Sequence, residues 1–444
     1  MNVTYAAVAS PLLGAAVASL ANQRRVRLPL RLGFGLISVA IALWTLPQVD
    51  RLQQIFIILI SIVSFLALLF SVSIFPKIEL ADAHWASRPA YFMLLGAFWS
   101  SMLLVVYATT FTGVWIGISA TTLATTFLVG FSGGKTALEA AWKYLILCSF
   151  GIAIALLGML LVGRAALEGG IESSQALAWS ALIAHSAAFP IPLLRTGLLL
   201  MTLGFATKAG LVPMHAWLPD AHSRAPAPIS ALLSGLLVSC SLYAIIRVQS
   251  ATPQAIGHSV DGALLVLGSL SVLLASFLML AQRDVKRFLS YSTVEHSGLV
   301  AVALGIHTPL AIFAAIYHIV NHAFAKTSAF MSIGVVQYAR NNRNMFVASL
   351  VSLAAMPPFG MFFSELLIAI AAVQARQWAV LAIATSALLI GFAALARLAL
   401  ETCAQEEHNG QRPAAPHMAL AATTCAMIAG ILCSFAPYIR GIAP

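Results

Sequence analysis

Residues 198–230 read LLLMTLGFATKAGLVPMHAWLPDAHSRAPAPIS, an apolar run that holds Lys208 and is then interrupted by four prolines. A charge at the depth of a bilayer costs at least about 2.5–3.5 kcal/mol, so we expect Lys208 to face protein or water. Proline breaks a helix, and broken helix at that depth is tolerated only where it lines a cavity or is buried in protein. The stretch therefore predicts a broken membrane helix beside a buried charge, which is typical of ion-transport sites. Three candidate accessory residues lie in or just beyond the break: His215, Asp220 and His222.

The composition of the whole chain makes it an integral membrane protein. Of its 444 residues, 61% are hydrophobic and 9% are charged, against about 25% charged in an ordinary soluble domain. So few charges cannot cover a soluble surface of this size. The net charge of +10 reflects a shortage of acids rather than a basic run, which argues against a nucleic-acid role. The five cysteines form no CxxC, so neither a disulfide framework nor a cysteine metal site is predicted.

Apolar runs between polar breaks predict about fourteen membrane-spanning helices in one transmembrane domain, residues 1–444. Their expected limits are 4–21, 32–48, 53–75, 90–107, 110–131, 142–163, 195–213, 228–248, 261–281, 288–305, 310–337, 346–373, 378–398 and 418–438. Loops after odd-numbered spans carry more than twice as many Lys and Arg residues as the other loops. This bias predicts that the odd loops are cytoplasmic and that both termini lie outside.

A second cluster, HIVNHAFAK at residues 318–326, contains His318, His322 and Lys326 at spacings of four, which places them on one helix face. Histidine titrates near neutrality, so a stripe of such groups on a buried helix is best interpreted as a proton relay. Tyr317 and Asn321 are placed to hold water there. Two alternatives stay open, a packed polar seam and a metal site. Against a metal, no glutamate separates the histidines and no third ligand is evident.

A second proline break, MPPFGMFFSE at residues 356–365, interrupts another apolar run and is followed by Glu365. A buried carboxylate there would pick up and release protons; an interfacial glutamate without a transport role is the alternative. Two Pro-interrupted segments in one chain are the expected sign of an inverted-repeat transporter.

Other polar residues are candidate accessory residues. Arg397, like Lys208 and Lys326, falls inside a predicted span and is expected to face the bundle interior or water. Lys286 belongs to RDVKR at residues 283–287, which is most simply a cytoplasmic anchor. Glu295 and the adjacent His296 either join a polar path or cap it.

These segments together resemble an antiporter-like membrane subunit of the respiratory complex I superfamily, which is related to the subunits of multi-subunit sodium/proton antiporters. The first two matching pieces are ATKAGLVPMHAWLPDAHSRAPAPISALLSG at residues 206–235 and QRDVKRFLSYSTVEHSG at residues 282–298. HIVNHAFAK and PPFGMFFSE, at residues 318–326 and 357–365, follow in family order. The segments WIGISATTLATTFLVGF and ALEAAWKYLILCS most resemble the hydrogenase-4 and formate-hydrogenlyase type.

The resemblance implies an all-α fold of about fourteen transmembrane helices with two inverted repeats, each containing a broken helix. The repeats are expected at 90–250 and 255–400, after N-terminal helices at 1–89 and before a C-terminal helix at 401–444. The family's proton path would map onto Lys208, His318, His322, Lys326 and Glu365. The resemblance implies no metal, no cofactor and no redox centre in this subunit.

The sequence departs from the family pattern at one position of the predicted path. In the family, the helix predicted here at 110–131 carries a glutamate that pairs with the equivalent of Lys208. Ser119 stands at that position in this chain. Lys208 is therefore expected to lack its usual counter-ion, which puts proton pumping by the usual pair exchange in doubt.

The leading hypothesis is a proton-conducting, antiporter-like subunit of a membrane-bound, complex I-like oxidoreductase or hydrogenase. Its expected partners are the other membrane and peripheral subunits of that complex, membrane lipid, and protons or sodium. Its expected location is a bacterial or archaeal cytoplasmic membrane. One alternative is a structural membrane subunit that no longer pumps, which Ser119 motivates. Another is a subunit of a sodium/proton antiporter or of an inorganic-carbon uptake complex.

Overall fold

The computed structural model describes residues 3–20, 24–74, 87–185, 189–338, 343–404, 423–424 and 427–428. Within these ranges the chain is helical and contains no β-strand; one isolated bridge joins Thr110 to Ala178. Nine of the described helices are long and apolar enough to cross a membrane. The prediction of an all-α, multi-pass membrane protein is confirmed.

The first repeat predicted from the sequence, together with the helices before it, contains eleven described α-helices. They are α1 (Val3–Leu20), α2 (Arg24–Trp44), α3 (Arg51–Ile74), α4 (Arg88–Tyr107), α5 (Phe111–Val129), α6 (Gly134–Glu168), α7 (Trp179–Ala184), α8 (Ile191–Lys208), α9 (Trp217–Arg224), α10 (Ala227–Leu232) and α11 (Val238–Ser250). One π-helical turn, Leu233–Leu237, joins α10 to α11.

The rest of the described chain contains six helices. They are α12 (Gln254–Ala281), α13 (Val285–Ile306), α14 (Pro309–Tyr338), α15 (Arg343–Leu353), α16 (Gly360–Gln374) and α17 (Trp378–Ala404). The first thirteen predicted spans each correspond to one or two of these helices. The fourteenth, predicted at 418–438, lies almost wholly outside the described residues.

Both proline-rich stretches break a helix, as the sequence predicts. At the first, α8 ends at Lys208 and the chain resumes as α9 at Trp217. At the second, the span predicted as continuous over 346–373 is two helices, because α15 ends at Leu353 and α16 begins at Gly360. The residues at which the helices end and resume are buried at both breaks, whereas residues 356–358 within the second break are exposed.

Two helix pairs pack so closely that only glycine fits between them. A Cβ on Gly204 of α8 would lie 2.5 Å from the Ala155 backbone nitrogen on α6. A Cβ on Gly268 of α12 would lie 2.7 Å from the carbonyl oxygen of Gly298 on α13. Small residues allow such approach in membranes, where packing rather than hydrophobicity drives association. Related repeats would produce this same glycine packing in both halves of the chain. The boundaries of the repeats stay a prediction.

Polar side chains concentrate in the interior of the bundle. Residues 227–249 are all buried, whereas only four residues of α1 are. Large apolar side chains face outward on peripheral helices, among them Leu123, Ile146 and Phe277. The interior instead buries Lys208, His222, Glu295, His296, His318, His322 and Lys326. Because lipid cannot solvate such groups, their enclosure by protein is what makes them tolerable in a membrane.

Candidate functional site

Lys208 lies at the C-terminal end of α8 and is completely buried. Its ammonium nitrogen donates hydrogen bonds to the Thr122 hydroxyl at 2.9 Å and to the Tyr144 hydroxyl at 2.5 Å. The same nitrogen lies 4.5 Å from the centre of the Tyr144 ring, a cation–π distance. Because α8 ends at Lys208, the helix break begins directly after this lysine.

Ser119 does not reach Lys208. Its hydroxyl is half-buried on α5 and donates to the Trp115 carbonyl oxygen at 2.8 Å. Thr122, one turn further along α5, supplies the contact instead. Among the described residues, hydroxyl groups rather than a carboxylate surround the Lys208 ammonium.

Trp217 and His222 connect the surroundings of Lys208 to those of α14. The Trp217 ring lies 5.7 Å from the Lys208 nitrogen and 6.4 Å, centre to centre, from the His222 ring. His222 is fully buried, its Nδ1 bonds the Leu218 carbonyl oxygen at 2.8 Å, and its ring lies 5.6 Å from Phe330 on α14. His222 is close enough to interact electrostatically with Lys326. The predicted accessory residue thus lies between the two main clusters.

Three histidine rings form the second cluster. His318 and His322 share one buried face of α14, and His296 of α13 lies 5.2 Å from each of them, centre to centre. His318 bonds the Ser364 hydroxyl at 2.9 Å through Nδ1. Lys326, one turn beyond His322, donates to the Leu289 carbonyl oxygen at 2.9 Å. Helical spacing predicted the α14 face, but it could not show that His296 closes the cluster from the facing helix.

Two glutamates flank this histidine cluster. Glu295 is buried and accepts a hydrogen bond from Ser276 at 2.6 Å. Glu365 on α16 places one carboxylate oxygen 3.9 Å from His296 Nδ1, and its side chain is 16% exposed. Glu365 therefore lies at the edge of the bundle, as the last titratable group of the series.

Several ring nitrogens in this series have no protein partner. Among the described residues, the buried atoms without a hydrogen bond include the Nε2 atoms of His222, His296, His318 and His322, together with Asn321 Oδ1. Buried polar groups in proteins are almost always hydrogen-bonded, to water where no protein group serves. A run of such atoms is therefore polar enough to hold water.

Three further candidate residues flank the buried series, and one of them, Lys286, is close enough to His222 to interact with it electrostatically. Asp220 pairs at the surface with Arg287 at 3.1 Å and with Lys143 at 3.4 Å. Lys286 donates to the Ala225 carbonyl oxygen at 3.0 Å, which ties the start of α13 to the end of α9. His215 is half-buried, 6.4 Å from the Tyr291 ring.

Of the two expected surroundings of Arg397, the bundle interior and water, the structure shows an exposed side chain. Its side chain is 43% exposed, 3.6 Å from Glu401 and 3.1 Å from the Leu280 carbonyl oxygen. The helix runs to Ala404, past the predicted limit of 398, and a long arginine side chain can extend toward a helix end to keep its charge solvated. Among the described residues, no group of three or more His, Cys, Asp or Glu side chains is arranged to hold a metal.

Comparison with known proteins places the chain in a family. Residues 108–391 match the family described as NADH:quinone oxidoreductase/Mrp antiporter, TM. The chain belongs to this family. It is 35% identical over 340 residues to the hydrogenase-4 component F homolog of Methylacidiphilum infernorum, covering 72% of this chain and 71% of that protein. The matched region of the antiporter family spans both helix breaks and every residue of the buried series.

Two solved structures share the fold of this antiporter-family member. A chain of the archaeal membrane-bound sulfane sulfur reductase complex superposes with a TM-score of 0.83 and 22% identity, over 97% of this chain and 94% of that one. A chain of respiratory complex I from Thermus thermophilus gives a TM-score of 0.79 and 22% identity, over 99% of both chains. The protein is thus an antiporter-like, multi-pass membrane subunit by fold and by family.

Proposed function

We propose that this subunit conducts protons along the buried series from Lys208 through His222, Lys326 and the three-histidine cluster to Glu365. The observation that carries the proposal is the run of buried histidine nitrogens without a protein partner, which lies between two lysines and a carboxylate. Groups that titrate near neutrality, separated by sites suited to water, are what stepwise proton transfer requires. The alternative interpretation as a packed polar seam would leave fewer of these nitrogens without a bond, since packed seams are hydrogen-bonded.

Each residue has a distinct role in this path. Lys208 takes up a proton in the first cluster, and Trp217 separates its ammonium from His222, so that water beside the indole must carry the proton across. His322, His318 and His296 exchange protons through their Nε2 and Nδ1 atoms, and Glu365 passes them toward the edge of the bundle. Ser364 fixes the His318 ring through Nδ1, which leaves Nε2 for water.

The parent assembly is proposed from the relatives. The relative at 35% identity is named as a hydrogenase-4 component, and the structural neighbours come from multi-subunit membrane complexes. We propose that electron transfer in partner subunits of a complex I-like oxidoreductase or hydrogenase drives proton movement through this chain. The cytoplasmic membrane, external termini and two inverted repeats at 90–250 and 255–400 belong to the same proposal.

The test uses membrane vesicles that contain the assembled complex, with electron transfer and vesicle acidification measured in one sample. Lys208→Ala and His296→Ala should each abolish proton translocation, because each interrupts the series. His307→Ala is the matched control, since His307 lies in the loop after α13 and pairs with Asp261 at the surface. An unchanged proton-to-electron ratio in both interior variants would exclude the proposed path.

A structural subunit that no longer pumps is the second candidate function, and Ser119 is the observation that favours it. In that case Lys208→Ala leaves translocation by the whole complex unchanged and lowers only the yield of assembled complex. The same vesicles therefore separate the two functions, because a proton path and an anchor respond to Lys208→Ala in different assays.

A further inference from the structure

We propose that the hydroxyl groups of Tyr144 and Thr122 replace the missing carboxylate as the proton-exchange partners of Lys208. This inference rests on the proposed proton path and concerns how its first residue works. It assigns a role to two residues on α5 and α6 that the sequence patterns did not single out. It also explains how a chain with Ser119 in place of glutamate can retain a functional lysine.

The hydroxyl groups around Lys208 form a directed chain of hydrogen bonds. Tyr144 accepts from the Lys208 ammonium, and its oxygen lies 2.5 Å from the Thr125 hydroxyl. Thr125 in turn donates to the Thr121 carbonyl oxygen at 2.6 Å. Since Thr125 donates to that carbonyl, Tyr144 uses its own proton toward Thr125 and its lone pair toward Lys208.

Thr122 forms the second arm of this arrangement. It accepts from Lys208 at 2.9 Å and donates to the Ile118 carbonyl oxygen at 3.0 Å. The four side chains involved, those of Lys208, Thr122, Thr125 and Tyr144, are all buried. Both hydroxyl oxygens that accept from the ammonium are therefore neutral, and each is itself fixed to the helix backbone or to another hydroxyl.

A hydroxyl can serve both protonation states of a lysine, whereas a carboxylate serves only one. An ionised carboxylate only accepts hydrogen bonds, so it holds the ammonium but cannot donate to the amine. A hydroxyl accepts from the ammonium and, after rotating about its C–O bond, donates to the lone pair of the neutral amine. Proton release from Lys208 to a neighbouring water therefore requires hydroxyl rotation and does not break an ion pair.

The other groups that face Lys208 do not supply a carboxylate. Cys148, one turn after Tyr144 on α6, is buried and is the other titratable group that interacts with the lysine. Trp217 of α9 contributes its ring face. Ser271 of α12 accepts a hydrogen bond at 2.9 Å from the backbone N–H of Val212, which lies in the break that follows Lys208. The hydroxyl pair is thus the feature that sets this site apart from a lysine–glutamate pair.

The test compares Tyr144→Phe, Thr122→Val and the conservative Thr122→Ser in vesicles that contain the assembled complex. Loss of a hydrogen bond to a charged group should slow proton translocation by about tenfold or more, whereas Thr122→Ser should retain the wild-type rate. Tyr91→Phe is the matched control, because Tyr91 is also a buried tyrosine, bonded to Ser71 at 3.0 Å and remote from Lys208.

The decisive experiment is rescue by a restored carboxylate. If the hydroxyls replace the glutamate, Ser119→Glu combined with Tyr144→Phe should regain most of the lost translocation, because the carboxylate makes the hydroxyl dispensable. A packing defect from Tyr144→Phe would not be repaired by a change on α5. Wild-type translocation by both Tyr144→Phe and Thr122→Val, or failure of the rescue in an assembled complex, overturns this inference.

Lys208→Ala in the same series separates the two proposals. If Lys208→Ala abolishes translocation while Tyr144→Phe and Thr122→Val have none of the expected effect, the hydroxyl inference fails and the proton path stands. If Lys208→Ala itself translocates normally, the proposed function fails, and the hydroxyl inference fails with it.

Discussion

Gly391 of α17 gives a direct test of whether the position of Glu295 matters. A methyl group at this position would overlap one carboxylate oxygen of Glu295, with the carboxylate carbon at 2.9 Å and the other oxygen at 3.0 Å. Glu295 is buried and is held by Ser276, so its carboxylate has little freedom to retreat. Gly391→Ala should therefore displace the carboxylate from Ser276 and from the histidine cluster.

The magnitude follows from three contributions. Overpacking a filled interior costs about 1–3 kcal/mol, and losing a hydrogen bond to a charged group costs about 1.5–3 kcal/mol. Alanine in place of glycine in a helix returns about 1 kcal/mol. We expect Gly391→Ala to be destabilised by about 1.5–5 kcal/mol, whereas Gly33→Ala, with nothing within 4 Å of the new methyl group, gains up to about 1 kcal/mol.

Two measurements check this expectation on the same purified complex. The apparent melting temperature, measured at one fixed scan rate, should fall for Gly391→Ala and should stay the same or rise for Gly33→Ala. A fixed scan rate is needed because large membrane proteins unfold irreversibly. Proton translocation per electron transferred should fall only for Gly391→Ala. If the two variants have the same melting temperature and the same proton-to-electron ratio, then Glu295 is not held where the structure places it, and its position beside the histidine cluster does not matter for translocation.

Three further predictions concern other parts of the molecule. The hydrogen bond between His307 and the Asp261 carboxylate, at 2.9 Å, raises the pKa of His307 above its ordinary 6.5. The stabilisation of the fold by this pair should be complete at pH values below 6.5 and should disappear as the pH rises through the raised pKa. Asp261→Asn should therefore lower the melting temperature at pH 6 but not at pH 9. Gly204→Ala should destabilise by about 1–3 kcal/mol in thermal unfolding, because its methyl group would press on α6 backbone that cannot rotate away. Arg397→Ala should leave the proton-to-electron ratio unchanged, since its exposed side chain lies outside the buried series; a fall in that ratio would return Arg397 to the path.

The sequence predicts those features that follow from the cost of charge in lipid. Lys208 and Lys326 had to lie inside because an apolar run offers no other place for a charge, and both are buried. The two helix breaks follow from proline, which cannot continue the backbone ladder. The face shared by His318, His322 and Lys326 follows from helical spacing alone.

The features that the sequence leaves undetermined depend on which helix faces which. His296 is adjacent to Glu295, and nothing in that pair shows which of them meets α14. Thr122 lies among several threonines on α5, and only the placement of α8 selects it over Ser119. The sequence could not decide whether Arg397 faces the interior or water, because the depth of a residue depends on where its helix ends, and apolar runs define helix ends poorly.

The first helix break explains how two clusters in one chain can form a lateral series. If α8 continued unbroken, the fourteen residues from Lys208 to His222 would rise about 21 Å along the helix axis, far from the level of Lys208. The break instead lets α9 turn aside and pack against both α6 and α13. Its Trp217 then faces Lys208 while its His222 faces Phe330 of α14. Because one short helix carries both contacts, a change that straightened this break would disconnect the clusters without altering any titratable residue.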